Sequence, residues 1–142
     1  MNPNNSPLML DQTGTTVIGC AKDAVNVEIP NSVTRIGDSA FVNCNILKSI
    51  EIPSSVTRIG RHAFLYCRSL KSIKIPNSVT SIWNCAFQFC SSLTNIEIPN
   101  SVTGIGDYAF AGCSSLTSIE IPNSVTWFWE GTFEGCSSLR RI

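Results

Sequence analysis

Seven cysteines and a single histidine are the residues of this 142-residue chain that could perform nucleophilic or metal chemistry. Cys85 and His62 stand one repeat interval of 23 residues apart, so a thiol and an imidazole could approach each other. Catalysis would also need a group that orients the base and donors for an oxyanion, and the sequence supplies neither. Zinc sites commonly use two close cysteine pairs, which the sequence lacks. We therefore predict no catalytic residues, no metal site and no cofactor.

Five of the cysteines recur every 23 residues, at Cys44, Cys67, Cys90, Cys113 and Cys136. If successive units stack about 5 Å apart, the Cα separation alone would permit disulfides. A repeated position is more typical of a packing ladder, because free cysteine behaves as a small buried hydrophobe. Cys20 and Cys85 lie off this column. We expect these two to be the more reactive thiols, unless they are half-buried fillers.

The same interval governs the prolines and phenylalanines, which recur at Pro30, Pro53, Pro76, Pro99 and Pro122 and at Phe41, Phe64, Phe87, Phe110 and Phe133. The unit reads Leu-x-x-Ile-x-Ile-Pro-Asn-Ser-Val-Thr-x-Ile-Gly-x-x-Ala-Phe-x-x-Cys-x-x. A fixed period of this length indicates stacked supersecondary units, each burying its apolar face only against its neighbours. The five phenylalanines should stack as a spine inside this solenoid.

Each unit contains signals for one strand, one turn and one short helical segment. Residues 70–75 alternate apolar and polar side chains, which predicts a half-buried strand. Pro76 and the Asn-Ser that follows it predict a turn. Asp107 could cap a helical turn that Gly112 ends, while Gly37 and its equivalents are interpreted as turn glycines. We predict an α/β-type repeat solenoid, with a parallel sheet on one face and turns with short helical segments on the other.

The two ends of the chain depart from the regular unit. Residues 1–26 contain two apolar runs around a glycine turn, which predicts a β-hairpin that caps the first coil. Residues 27–142 form five repeats of a single continuous solenoid. Ile142 occupies the column of a strand isoleucine, so we expect an uncapped C-terminal edge that could support self-association.

Charge and hydropathy exclude two classes of partner. Ten basic residues balance ten acidic ones, so the chain has no general attraction to nucleic acid. Its apolar runs are far shorter than the roughly 20 residues that span a membrane. The first residues also lack the basic and apolar regions of a secretory signal peptide.

The string Ile-Pro-Asn-Ser-Val-Thr-x-Ile-Gly-x-x-Ala-Phe-x-x-Cys-x-x-Leu resembles the BspA-type leucine-rich repeat of bacterial and protist surface proteins, over about residues 27–142. The hairpin before it is similar to the usual lead-in of that family. The resemblance implies a right-handed leucine-rich-repeat coil, a cell-surface or secreted location, and adhesion or protein binding. The partner is then a protein, in some cases a host or extracellular-matrix protein. No catalytic residues are carried over.

Recognition should reside where the repeats differ, because buried positions must repeat. Tryptophan replaces glycine at Trp83 and Trp129, and Trp127 replaces a small or basic residue. Tyr66 and Phe89 add apolar area where other repeats have Asn or Gly. Exposed aromatic clusters mark partner surfaces, although these rings could also pack on neighbouring coils or cover the C-terminal end.

A second variable column consists of the charged strand residues Glu28, Glu51, Lys74, Glu97 and Glu120. These are candidate partner contacts, but the lysine also relieves repulsion between the glutamates. Charge is uneven along the chain: residues 35–74 carry seven basic and two acidic residues, and residues 97–134 carry five acidic and no basic residues. This gradient could steer an acidic partner to the first half, or it could be a solvated face.

We therefore predict a non-enzymatic module that presents its repeat surface to a protein partner. The alternative is a structural spacer, or a fragment of a longer repeat protein, that self-associates through its C-terminal edge.

Overall fold

The computed structural model describes residues 6–140, apart from the side chain of residue 130. The predictions that concern Ile142 and the first five residues therefore lie outside the described residues. Each 23-residue unit forms one coil, and the coils stack in sequence order.

The described residues form eleven strands, which lie in three sheets. Their bounds are β1 Leu8–Leu10, β2 Thr16–Cys20, β3 Asn26–Glu28, β4 Arg35–Ile36, β5 Ser49–Glu51, β6 Arg58–Ile59, β7 Ser72–Lys74, β8 Ser81–Ile82, β9 Asn95–Glu97, β10 Gly104–Ile105 and β11 Trp127–Phe128. The long sheet has the order β1-β2-β4-β6-β8-β10-β11, and two short sheets contain β3-β5 and β7-β9. The predicted parallel sheet and stacked coils are confirmed.

The register between coils follows the repeat. Arg35 pairs with Arg58 and Ile36 with Ile59, so equivalent residues of neighbouring coils lie side by side. The predicted strand near residue 73 is present as β7, but it belongs to a short sheet. The long sheet instead forms from the Thr-x-Ile segment after the proline turn, which the sequence indicated only as a return to the core. Its strands have two residues per regular coil, too few for an alternating pattern to be recognised.

At the N-terminal end, β1 and β2 pair antiparallel, and Gly14 adopts φ +74° between them. Asp11 holds this turn, because its Oδ1 accepts hydrogen bonds from the backbone N–H groups of Thr15 and Thr16. Strand β2 then pairs in parallel with β4. The second hairpin strand is thus also the first parallel strand of the long sheet.

The core is a column of phenylalanine rings, as predicted. Successive ring centroids lie 5.0, 5.2, 5.4 and 5.9 Å apart from Phe41 to Phe133, with interplanar angles between 2° and 8°. The first four rings are fully buried. Because every coil contributes one ring at the same depth, the rings of neighbouring coils cover one another.

The cysteine column is a ladder of free thiols that bond to the backbone. The Sγ of Cys67 donates to the carbonyl oxygen of Phe41 at 3.2 Å, and Cys90 and Cys113 repeat this contact one and two coils later. Burial raises the pKa of Cys67 to about 12, so the thiol keeps the proton that it donates. The packing-ladder interpretation of this column is confirmed, with an added polar contact.

The predicted helical segments are turns in the structure, as between Asp107 and Gly112. In the equivalent segment of an earlier coil, Ser39 and Asn43 have φ of 58° and 59°, in the left-handed region. Their N–H groups and that of Phe41 donate to the next coil, while the N–H groups of Ala40 and Val42 bond three residues back. An α-helix would need all of these donors internally, so the contact between coils replaces it. The one helix in the described chain is the 3-10 turn Glu130–Phe133, for which no later coil is described.

The glycines of the Ile-Gly pair are not turn glycines, contrary to the sequence interpretation. Gly60 and Gly106 do not have positive φ; instead, each lies against the backbone of the preceding coil. A Cβ on Gly106 would lie 2.5 Å from the backbone nitrogen of Asn84. At both glycines the preceding coil therefore leaves no room for a Cβ unless the backbone shifts, although two other coils have Trp83 and Trp129 at the equivalent position.

Candidate functional site

The outward face of the long sheet carries two columns in which the coils differ. The first column is formed by the residues paired across the strands, Thr16, Arg35, Arg58, Ser81, Gly104 and Trp127. The second lies two residues further along each coil and contains Gly37, Gly60, Trp83, Gly106 and Trp129. Strand alternation places both columns on one face and the intervening isoleucines in the core.

Trp83 is held in place by two arginines and a serine. The guanidinium carbons of Arg58 and Arg61 lie 4.3 and 5.5 Å from the indole centroid. The indole Nε1–H donates to the Ser81 hydroxyl at 3.0 Å. These contacts orient the ring and leave it only partly buried. Two cationic groups at one ring make this the strongest cation–π arrangement among the described residues.

A slot separates Trp83 from Trp127. It has a volume of about 170 Å³, and Gly104 and Gly106 lie in the coil between the two tryptophans. The Trp127 indole lies over the backbone of this coil. A Cβ added to Gly104 would be 2.6 Å from the indole Cζ2. The two glycines therefore form a floor without side chains between two aromatic walls. We call this feature the tryptophan slot.

The C-terminal coil exposes a second aromatic group. Phe128 occupies the column of Ile105 but is 45% exposed, whereas the isoleucine is fully buried. Trp127 and Trp129 are 53% and 56% exposed, and their rings meet edge to face at 6.2 Å. A cleft of about 780 Å³ lies beside Phe128 and Trp129 and extends to Tyr108. We call it the end cleft.

The remaining aromatic candidates form a separate stack. Tyr66 and Phe89 pack face to face at 5.1 Å, and the Arg68 guanidinium lies 5.1 Å from the tyrosine ring. Both residues are in the left-handed region, with φ of 63° and 58°. They lie in the turn segment that follows the long sheet, so the structure does not bring them to the tryptophan slot.

The charged column lies on the short sheets, a third surface. Lys74 pairs with Glu97 in the register of β7 and β9, and Glu28 pairs with Glu51 in that of β3 and β5. These side chains, with Glu120, are exposed. The candidate residues of the sequence thus divide into three surfaces rather than one.

Neither Cys85 nor Cys20 has the electrostatic properties of a nucleophile. Contact with the Cys20 thiol lowers the pKa of Cys44 to about 7, but Cys44 is fully buried. Cys85 is partly exposed, and burial followed by the charge of Asp107 raises its pKa. A reactive cysteine requires a lowered pKa, so the pairing with His62 has no electrostatic support. Cys20, for which a reactive thiol and a half-buried filler were the two interpretations, is only 2% exposed. Contact with the Cys44 thiol and burial raise the pKa of Cys20, which makes it a core residue.

Neither a metal cluster nor a membrane-spanning helix occurs in the part of the chain that the structure describes. No group of three or more His, Cys, Asp or Glu side chains within residues 6–140 could hold a metal ion. None of the described helical residues forms a segment long and apolar enough to cross a bilayer.

The sequence analysis identified the walls of the tryptophan slot but missed its floor and its flank. Gly104 and Gly106 look like ordinary turn residues in the sequence, and Arg58 and Arg61 contribute only to an overall charge count. The repeat register could have predicted the slot. Gly104 and Gly106 lie in one coil, with Trp83 in the coil before it and Trp127 in the coil after it, so the two tryptophans flank the glycines on the same face.

Comparison with solved structures finds close relatives of this coil. A leucine-rich repeat protein from T. pallidum superposes with a TM-score of 0.88 and 32% identity, covering 98% of this chain and 68% of that one. A leucine rich cell surface protein from Faecalibacterium prausnitzii gives 0.89 and 37%, covering 95% of this chain and 36% of that one. The chain therefore spans only about a third of the second protein.

A leucine-rich repeat protein from Bacteroides ovatus is more distant, with a TM-score of 0.65, 26% identity and coverage of 94% of this chain and 50% of that one. Among curated proteins, none matches the chain. The BspA type leucine-rich repeat region matches residues 19–141 in six copies. Together with the parallel sheet and the 23-residue register, this match shows that the chain belongs to the BspA-type leucine-rich repeat family.

Proposed function

We propose that this chain is a non-enzymatic protein-binding module that contacts its partner through the outward face of the long sheet. The observation that carries the proposal is the position of the tryptophans. Three of them lie on this one face, at positions where other coils have glycine, serine or arginine. Tryptophan and arginine are the residue types enriched at binding hot spots, and this face contains both.

The fold gives this face the rigidity that a binding surface requires. Parallel pairing holds the two columns of the long sheet in register from β2 to β11. Trp83 is fixed by its arginines and by Ser81, so little side-chain entropy remains to be lost on binding. The Tyr66–Phe89 stack and the charged column of Glu51, Lys74, Glu97 and Glu120 are additional contact surfaces in this proposal.

The context is adhesion at a cell surface. The similar protein from Faecalibacterium prausnitzii is described as a cell surface protein, and members of leucine-rich repeat families generally present surfaces to other proteins. The partner class is then a protein that such a surface meets, including host and extracellular-matrix proteins.

A solid-phase assay with purified matrix proteins tests the proposal. We expect the wild type to bind at least one of them, and the double variant Trp83→Ala, Trp127→Ala to bind about tenfold more weakly. Lys71→Ala, a substitution of an exposed residue outside this face, is the matched control and should bind normally. Equal binding by all three proteins would refute a role for the long-sheet face.

Self-association through the C-terminal coil is the second candidate, and the exposure of Phe128 favours it. Phe128 occupies a core column, but its side chain is 45% exposed, so another coil can pack over it. In this proposal a second copy of the chain docks on the end cleft. Sedimentation of the wild type and of Phe128→Ser should then give a dimer and a monomer, respectively, and a monomeric wild type at high concentration would refute it.

A further inference from the structure

The tryptophan slot has the size of one side chain. Pockets that hold drug-sized ligands usually measure roughly 300–1,000 Å³. The slot, at about 170 Å³, is smaller and is close to the cavity volume of about 150 Å³ that holds a benzene ring. Its walls are indole rings, and its floor is the glycine backbone of β10. This geometry suits a single branched or aromatic apolar side chain.

The surroundings of the slot differ in charge between its two sides. Toward the N-terminal end, Arg58 and Arg61 lie against Trp83, and Arg35 is paired with Arg58 in the next strand. Toward the C-terminal end, the residues that line the slot are uncharged, namely Thr103, Gly104, Gly106 and Trp127. A ligand with negative charge is therefore attracted on one side of the slot only, which fixes its orientation.

We infer that the tryptophan slot binds an extended segment of a protein partner, with one apolar side chain between Trp83 and Trp127 and acidic residues over Arg58 and Arg35. This inference rests on the proposed function and specifies the chemistry of the partner. The segment runs along the stack of coils, across the strands.

The spacing within the segment follows from the strand spacing. Strand β6 lies two strands from the slot floor in β10, and β4 lies three strands from it. Neighbouring strands are about 4.8 Å apart, so these distances are about 10 and 14 Å. An extended chain rises about 3.3 Å per residue and alternates its side chains, so the acidic residue that faces Arg35 stands about four positions from the apolar anchor. The acidic residue three positions away adds negative charge near Arg58.

The indole N–H signals of the three tryptophans provide a test on the intact chain. The probe is the blocked peptide Glu-Asp-Ser-Gly-Leu-Gly, together with the reverse-order peptide Gly-Leu-Gly-Ser-Asp-Glu, because the direction of the segment is part of the test. We expect one of them to shift the signals of Trp83 and Trp127 saturably and to leave Trp129 unchanged. Replacing the leucine with glycine, or both acids with lysine, should weaken binding about tenfold in each case.

Two arginine variants separate the slot from general electrostatics. Arg58→Gln should weaken binding of the acidic peptide several-fold without weakening that of the lysine peptide. Arg68→Gln is the matched control, because Arg68 also lies over an aromatic ring but on the Tyr66–Phe89 stack. Equal losses in the two variants would overturn the inference, since they would show attraction without a site.

Other outcomes also overturn the inference: no saturable shift with either peptide at about 5 mM, a shift of Trp129 alone, or equal binding of the acidic and lysine peptides.

Failure of this inference is distinguishable from failure of the proposed function. If the peptides do not bind but the double tryptophan variant still loses its protein partner, the face is correct and the acidic-segment chemistry is wrong. If that variant keeps its partner, the proposed function itself fails.

Discussion

Replacing Phe87 with alanine tests whether stability resides in contacts between coils. The ring is fully buried, and it stacks on Phe64 at 5.2 Å and on Phe110 at 5.4 Å. Phe133 is the matched control, because it is the same residue at the last described position of the same column. Its ring is only partly buried; it stacks on Phe110 at 5.9 Å and meets Phe128 edge to face at 5.8 Å.

The expected magnitudes differ between the two positions. Truncation of a buried phenylalanine to alanine costs about 3–5 kcal/mol of stability, including the cost of the cavity that remains. Phe133→Ala should cost about 1–2.5 kcal/mol, since the residue already contacts solvent and one of its two aromatic neighbours, Phe128, is itself 45% exposed. With a urea m-value of about 2 kcal/mol/M, the midpoint should fall by about 1.5–2.5 M for Phe87→Ala and by about 0.5–1.25 M for Phe133→Ala.

Equilibrium urea unfolding followed by circular dichroism measures both values. The m-value must be compared as well, because a weakened central coil could let the two halves of a repeat array unfold separately. If the two variants lose the same free energy, or if Phe87→Ala loses less than about 2 kcal/mol, the stacked core does not stabilise the chain as described.

Three further predictions concern single contacts. Cys85 should react with iodoacetamide more slowly than a free cysteine near neutral pH. Asp107→Asn should speed the reaction, because it removes a charge that raises the thiol pKa. Equal alkylation rates of Cys85 in the wild type and in Asp107→Asn, measured by mass spectrometry, would contradict this. Lys74→Glu places a like charge beside Glu97 and should cost about 0.2–1 kcal/mol in urea unfolding, with the loss shrinking at high salt. Gly106→Ala should cost about 1–3 kcal/mol, because its Cβ meets the backbone of the preceding coil, and an unchanged unfolding midpoint would argue against that close approach.

The repeat interval alone predicted what every coil must share. The phenylalanine column, the cysteine column and the parallel stacking all follow from placing equivalent residues one above another. These features are predictable because an equal interval in sequence becomes a fixed translation in space. The family follows from the same regularity.

Features that depend on the contact between coils were not predictable from one coil. His62 and Cys85 adopt φ of 56° and 59°, and their N–H groups donate to the next coil, although the sequence there indicated a helical turn. Hydrogen bonds to the next coil outweigh the cost of the left-handed backbone, which is about 1–2 kcal/mol per residue. Cys20 shows the same limitation: nothing in its local sequence places it against Cys44, and the pairing of the hairpin with the first coil does so.

The hydrogen bonds that join the coils have a consequence for how long such a stack can grow. In the turn segment, Ser39 and Phe41 donate toward the following coil, whereas beside the long sheet Thr57 and Gly60 donate toward the preceding one. The two sets of peptide dipoles therefore oppose each other around every coil. An α-helix aligns its dipoles and builds up partial charge at both ends. A stack of this kind accumulates far less, so coils can be added without an electrostatic penalty that increases with length.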